Sequence, residues 1–183
     1  MNVYFDSCVW ISALISKDSN HDKALTEIQK IKLNIYNVYI SDHLLNEIHD
    51  YIKKICIIIQ KGKKNTSQVD YKLIVRTMYN DFIAKLLSLP NITFMNPNLS
   101  SNMLYQESNL IIKNHIGVIK KDIKCPICKS NYDFWEHDGL YESDIIHALI
   151  SKELKCGILI TFDNDFNTLK TEPNISPLTI QVI

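Results

Sequence analysis

Between residues 138 and 166 the apolar positions Leu140, Ile145, Ile146, Leu149, Ile150 and Leu154 recur at intervals of mostly three to five. That spacing predicts an amphipathic helix running into Gly157, and the apolar run Ile158, Leu159, Ile160 predicts a buried strand ending at Thr161. At the other end of the chain Val3, Tyr4 and Phe5 form a β-rich run that reads as a first strand ending on Asp6. Ser7 is placed to cap a short helix carrying Val9, Trp10, Ala13 and Leu14, and a second helix is predicted over 21–31. A second strand follows at 36–40. Ser41 or Asp42 then caps a long helix whose stripe is Leu44, Leu45, Ile48, Ile52, Ile55 and Ile59, with Glu47 on its edge.

The polar stretch KGKKNTSQ at 61–68 predicts an exposed loop. Beyond it the pattern predicts a helix over 69–87 built on Leu73, Met78, Phe82, Ile83 and Leu86, a short strand at 92–95 and a helix over 103–119. Between 120 and 138 the periodicity stops, which predicts an inserted loop or knuckle, and a last strand is expected at 178–182. Strands alternating with helices argue an α/β fold whose mainly parallel sheet is covered on both faces. With 183 residues, 46% of them hydrophobic, one domain over 1–183 with an insertion at about 120–138 is expected.

This topology gives four carboxylates a common location. Asp6 ends the first strand, Glu47 lies in the first two turns of the helix after the second, Asp144 opens the helix before the fourth, and Asp163 follows that strand. In a parallel sheet all four fall at the carboxyl edge, where such sheets place their ligands. Each one alone is explained as a helix cap or turn residue, because carboxylates near helix starts complement the dipole. Caps, however, have no reason to collect after successive strands. Gathered carboxylates repel unless a divalent cation neutralises them, and hard oxygen ligands suit Mg²⁺ or Mn²⁺. The reaction class that follows is metal-assisted hydrolysis of a phosphodiester, with the Thr161 hydroxyl able to join the cluster. Asp165, in the DNDF turn, is expected to cap the helix that follows, and Glu142 to point away from Asp144.

These residues resemble a PIN-domain ribonuclease of the VapC toxin type. The resemblance rests on VYFDSCVWI at the N-terminus, HDKAL at 21–25, SDHLLNEI up to Glu47 and Ile48, GLYESDIIHAL around Asp144 and ILITFDNDF around Asp163. It implies a PIN-like three-layer α/β/α sandwich and a metal-dependent endoribonuclease. Asp6, Glu47, Asp144 and Asp163 would be its catalytic residues and would hold Mg²⁺ or Mn²⁺. It also brings in a toxin role, an antitoxin partner and a homodimer as options. Cys8 stands where the family usually has Ser or Asn, and the stretch 120–138 is longer than such toxins need. Two other classes remain open: an inactive PIN-like module that binds RNA or protein, and a phosphatase-like enzyme on the same edge. Four filled acidic positions speak against the first, and a chain with four glycines and no Gly-rich phosphate loop speaks against a nucleotide hydrolase.

The formal net charge is zero, so polyanion binding falls to metal or to local clusters such as Lys53, Lys54, Lys61, Lys63 and Lys64, or Lys120, Lys121 and Lys124. Solvated faces explain those lysines equally well. Five scattered cysteines argue against a disulfide framework and for a reducing cytoplasm. The longest apolar run, 55–59, is far below the ~20 residues that span a bilayer. Cys125 and Cys128 in the CPIC segment form half of a zinc site that His115 or His137 would complete. His43 and Glu47, at i and i+4, are able to share a metal, although such a pair is more often solvated, and His21 and His147 read as structural polar residues.

Overall fold

A computed structural model describes residues 1–61, 68–114, 119–124, 131–136 and 141–183. Its main sheet has five parallel strands: β1 (Asn2–Phe5), β2 (Asn37–Ile40), β3 (Ile92–Phe94), β6 (Ile158–Thr161) and β7 (Thr179–Val182), in the order β3-β2-β1-β6-β7. The intervening helices are α1 (Ser7–Leu14), α2 (His21–Lys32), α3 (Asp42–Lys61), α4 (Gln68–Leu87), α5 (Ser101–Asn114) and α6 (Glu142–Glu153), and a 3-10 helix covers Asn164–Thr171.

The central strand β1 explains why helices cover both faces. Successive side chains of a strand point to opposite faces, and Val3, Tyr4 and Phe5 are all fully buried. Tyr4 reaches His147 on α6, whereas Phe5 packs against Trp10 of α1 and Tyr36, with ring centroids 5.4 and 6.0 Å away. Trp10 in turn meets Phe82 of α4 edge-on. The result is a PIN-like three-layer α/β/α sandwich. Strand β1 is paired on both edges, with Tyr4 in register with Tyr39 of β2 and Leu159 of β6. By contrast Phe94, on the edge strand β3, is exposed.

Several elements differ from their predicted form. On α4 the helix is where the pattern placed it, but Leu73 and Met78 are exposed and Val75 is buried beside Phe82 and Leu86. Two twenty-residue helices pack side by side here, and the contact line between α3 and α4 selects the buried positions. Ser41, not Asp42, caps α3, its Oγ accepting the Leu44 N–H at 3.2 Å. Asp42 is tied instead to Asn96 in both directions, at 2.8 and 2.6 Å, which anchors the start of α3 to the segment after β3. Helix α5 is described over Ser101–Asn114, and Ile119, predicted as its end, belongs to strand β4 (Ile119–Lys124), antiparallel to β5 (Asn131–Glu136) in a separate two-stranded sheet. A pattern confined to neighbours along the chain has no view of that pairing, in which Ile119 faces Glu136. The CPIC cysteines Cys125 and Cys128, and His115 and His137, lie outside the described residues. Among the described residues no helix is long and apolar enough to cross a membrane.

Candidate active site

Asp6 is the residue after β1, and its N–H still bonds to Ile160 O at 3.0 Å, so the carboxylate leaves the sheet at a fixed point. It is only 4% exposed. Three donors converge on it: Ser7 N–H on Oδ1 at 2.6 Å, and the Thr161 hydroxyl and the Cys8 thiol on Oδ2, each at 2.9 Å. Asp6, rather than Ser7, is therefore the N-cap of α1. Burial, and after it the Asp6 charge, pushes the Cys8 thiol far up, so Cys8 stays protonated and acts as a donor.

Thr161 joins the first and fourth acidic positions. While its hydroxyl donates to Asp6 Oδ2, its oxygen accepts the Asp163 N–H at 3.0 Å. Asp163 itself caps the 3-10 helix, with Oδ1 accepting the Asp165 N–H at 2.9 Å, so Asp165 is the capped residue and not the cap that the DNDF turn suggested. The reason is local: the helix starts one residue after Asp163, where Asp165 is already inside the first turn. Burial raises the Asp163 carboxyl, and the nearby charges of Asp165 and Asp6 add to it, against the lowering effect of the Asp165 N–H.

Asp144 sits in the first turn of α6 and accepts the Tyr141 N–H on Oδ2 at 2.7 Å. Its carboxyl is nevertheless pushed up to about 7, first by burial and then by the charges of Asp6 and Asp163, which outweigh that N–H and His147. Glu142 turns to α5, where Ser108 and Asn109 each donate to Oε1 at 3.3 Å, which keeps it outside the cluster as its helical spacing predicted.

Glu47 completes the four through a histidine. His147 is 1% exposed, and its Nε2 lies 2.6 Å from Glu47 Oε2 and 3.5 Å from Asp6 Oδ1. Its Nδ1 lies 3.1 Å from the Tyr4 hydroxyl, which is 2.8 Å from Ser41 Oγ. Burial works against the imidazolium, but the hydrogen bond to Glu47 and the charges of Asp6, Glu47 and Asp144 raise His147 overall. For Glu47 burial works against the carboxylate, yet the His147 bond and charge, with His43 behind them, bring it down to about 2. His43, one turn before Glu47, is lowered to about 4, chiefly by burial and then by the His147 charge, so it is a neutral imidazole near pH 7. Its ring meets that of His147 edge-on at 4.8 Å, and its Nε2 is buried without a hydrogen-bond partner, 3.6 Å from Glu47 Oε1.

His147, which by sequence alone reads as a structural polar residue, lies in the fold between two of the four carboxylates. A usable signal was present, since His147 follows Asp144 by three residues and shares its helix face. Among the described residues no lysine or arginine pairs with any of the four carboxylates. The Asp144 and Asp163 carboxyls are held above their ordinary range, so added positive charge would favour both anions, and carboxylate oxygens suit a divalent cation; among the described residues, however, no three of the four carboxylates offer oxygens within 4.8 Å of one another. A groove of about 340 Å³ opens beside His43 and is lined by Asp42, Asn46, Asn96, Ser100 and Tyr105 among others.

No protein-family model matches the chain, and no curated protein sequence matches it. Solved structures do. VapBC2 from Rickettsia felis, crystallised bound to a DNA fragment from their promoter, aligns over 100% of this chain and 98% of its own, with TM-score 0.55 and 15% identity. VapC20 of Mycobacterium tuberculosis, a Sarcin-Ricin loop cleaving toxin, aligns over 91% of this chain and 94% of its own, with TM-score 0.51 and 13% identity. With the parallel five-stranded sheet and its order, these alignments give the chain the fold of VapC PIN-domain toxins.

Proposed function

We propose that the protein is a cytoplasmic, metal-dependent endoribonuclease that hydrolyses RNA phosphodiester bonds, and that it acts as the toxin of a toxin–antitoxin pair. The observation that carries this reading is geometric: Thr161 joins Asp6 to Asp163 and His147 joins Asp6 to Glu47, at an edge where no lysine or arginine pairs with the four carboxylates among the described residues. The fold likeness to VapC20, a Sarcin-Ricin loop cleaving toxin, supports RNA as the substrate. An antitoxin protein is the expected partner, and a second copy of the chain is another.

Asp6, Glu47, Asp144 and Asp163 would hold Mg²⁺ or Mn²⁺. When bound, such an ion supplies positive charge to the phosphate in the transition state and a water of lowered pKa. Asp6 is aimed by Ser7 N–H and Thr161, so its orientation is set by backbone and strand, not by the ligand. Asp144, its carboxyl pushed up to about 7, is only part ionised near neutrality, and positive charge reaching the cluster would complete its ionisation there. His147 holds Glu47 in the carboxylate form and keeps it turned towards Asp6. The groove beside His43 offers the amides of Asn46 and Asn96 and the ring of Tyr105 to an unstacked nucleotide.

The test is cleavage of a structured RNA by the full chain with Mg²⁺ or Mn²⁺, with chelator, and after Asp6→Asn or Asp144→Asn. Metal-dependent cleavage lost in both variants is expected. Cleavage that survives both, or that ignores chelator, overturns the mechanism.

A further inference from the structure

We propose that His43, Glu47 and His147 form a second cation site, which binds a transition metal of the Co²⁺ and Zn²⁺ class in preference to Mg²⁺. One ligand atom from each of the three lies within 4.8 Å of the others. Donors about 2.1 Å from a common ion stand at most roughly 4.2 Å apart, so a small rotation closes the set. His43, only partly buried on the first turns of α3, has room for it.

Three independent features point to a ligand. First, His43 Nε2 is buried and has no hydrogen-bond partner, although 3.6 Å away Glu47 Oε1 faces it. An imidazole nitrogen in that position is costly to leave unpaired, and a metal bond satisfies it. Second, His147 is oriented from behind. Its Nδ1 meets the Tyr4 hydroxyl, and that hydroxyl meets Ser41, whose Oγ also takes the Leu44 N–H. With Nδ1–H donating to the Tyr4 oxygen and Tyr4 O–H donating to Ser41, Nε2 is the nitrogen left for a metal, the arrangement that outer partners of metal-bound histidines impose. Third, His43 lines the open groove at the start of α3, which supplies an entry path and room for water ligands.

The donor set decides the ion. Two imidazole nitrogens and one carboxylate suit borderline divalent ions, whereas Mg²⁺ keeps to oxygen ligands and retains its waters. A cation takes the place of the proton between His147 Nε2 and Glu47 Oε2, so that proton is released on binding and the imidazole enters as a neutral ligand. Glu47 is common to this site and to the acidic set. The proposal rests on the nuclease reading for that one residue, and it is separable from it because metal binding, not RNA cleavage, is measured.

The experiment titrates the full chain with Co²⁺ in a large excess of Mg²⁺ and follows the visible ligand-field absorption of the bound ion. Co²⁺ is expected to bind despite the Mg²⁺, about tenfold or more weakly after His43→Ala. Asp163→Asn, which leaves all three ligands in place, is expected to change the affinity little. Equal binding by the wild type and His43→Ala overturns the proposal. So does displacement of Co²⁺ by Mg²⁺, or a loss in Asp163→Asn as large as in His43→Ala, which would place the ion among the aspartates. Absorption confined to thiolate-to-cobalt charge transfer in the near ultraviolet would assign the ion to cysteine and overturn it as well. Loss of RNA cleavage in Asp6→Asn with Co²⁺ binding retained would separate the two sites.

Discussion

Replacing Asp144 by Asn is expected to stabilise the protein, and by an amount that depends on pH. The carboxyl titrates near 7 in the folded chain against an ordinary 3.8, because burial and the charges of Asp6 and Asp163 disfavour the anion. A raised carboxyl pKa means that the folded state holds a proton the unfolded state has released, so stability falls as pH rises through the window from 3.8 to about 7. Each pH unit of that gap is worth about 1.4 kcal/mol, so ionised Asp144 costs the fold roughly 4 kcal/mol above neutrality. Relaxation of the neighbouring carboxylates lowers that to an expected ~3 kcal/mol. Asn retains an oxygen for the Tyr141 N–H, so the cap of α6 is kept while the charge goes. The assay is urea unfolding of wild type and Asp144→Asn at pH 4 and pH 8, in chelator. With a slope of about 2 kcal/mol per molar urea, the variant should unfold ~1.5 M later at pH 8 and at nearly the same concentration at pH 4. Mg²⁺ or Mn²⁺ should then raise the wild type at pH 8 and close the gap, since a cation bound only by the folded chain adds stability by mass action. A variant no more stable than wild type at pH 8, or a gap that does not grow with pH, would refute the account of the cluster as short of positive charge.

Further outcomes follow from the same edge. Tyr4→Phe leaves buried His147 Nδ1 and Ser41 without the hydroxyl between them and should cost about 1–3 kcal/mol in the same assay. Thr161→Val removes the link between Asp6 and Asp163 at nearly constant volume; RNA cleavage should fall while the far-ultraviolet circular dichroism stays unchanged. The Glu47–His147 pair sets a stability window of its own: Glu47, lowered to about 2, contributes fully above pH 4.5, and His147, raised above 6.5, contributes fully below pH 6.5. Glu47→Gln should remove that window and drop the His147 titration seen by NMR; a His147 pKa unchanged in the variant would contradict the pairing.

How much of this was legible beforehand follows from the range of the interactions involved. Strand runs such as Val3 to Phe5 and Leu159 to Ile160 are buried on both faces and therefore uniformly apolar, and parallel strands carry their following residues to one edge. Asp6, Asp144 and Asp163 could accordingly be assigned to a common edge from strand ends and helix starts alone. The α/β class and the helix stripe Leu44, Ile48 and Ile52 were also readable, since both rest on period and local capping.

Other features needed partners far along the chain. The burial of Val75 rather than Leu73 depends on how α4 lies against α3, and the β4–β5 pairing depends on segments that meet only when the chain turns back. His147 illustrates the limit best. In the sequence it is one polar residue on an apolar helix, and its spacing from Asp144 places it on the same helix face without naming the partner that sets its role. Only the fold brings Glu47, a hundred residues earlier, to 2.6 Å from its Nε2 and sets Tyr4 against its other nitrogen. The protonation states of the edge were equally out of reach, because they come from burial and from charges summed over Asp6, Glu47, Asp144 and Asp163. Composition and spacing determine which residues can ionise and which elements carry them; the tertiary structure decides which of them share a dielectric and a neighbour, and so which way each is shifted.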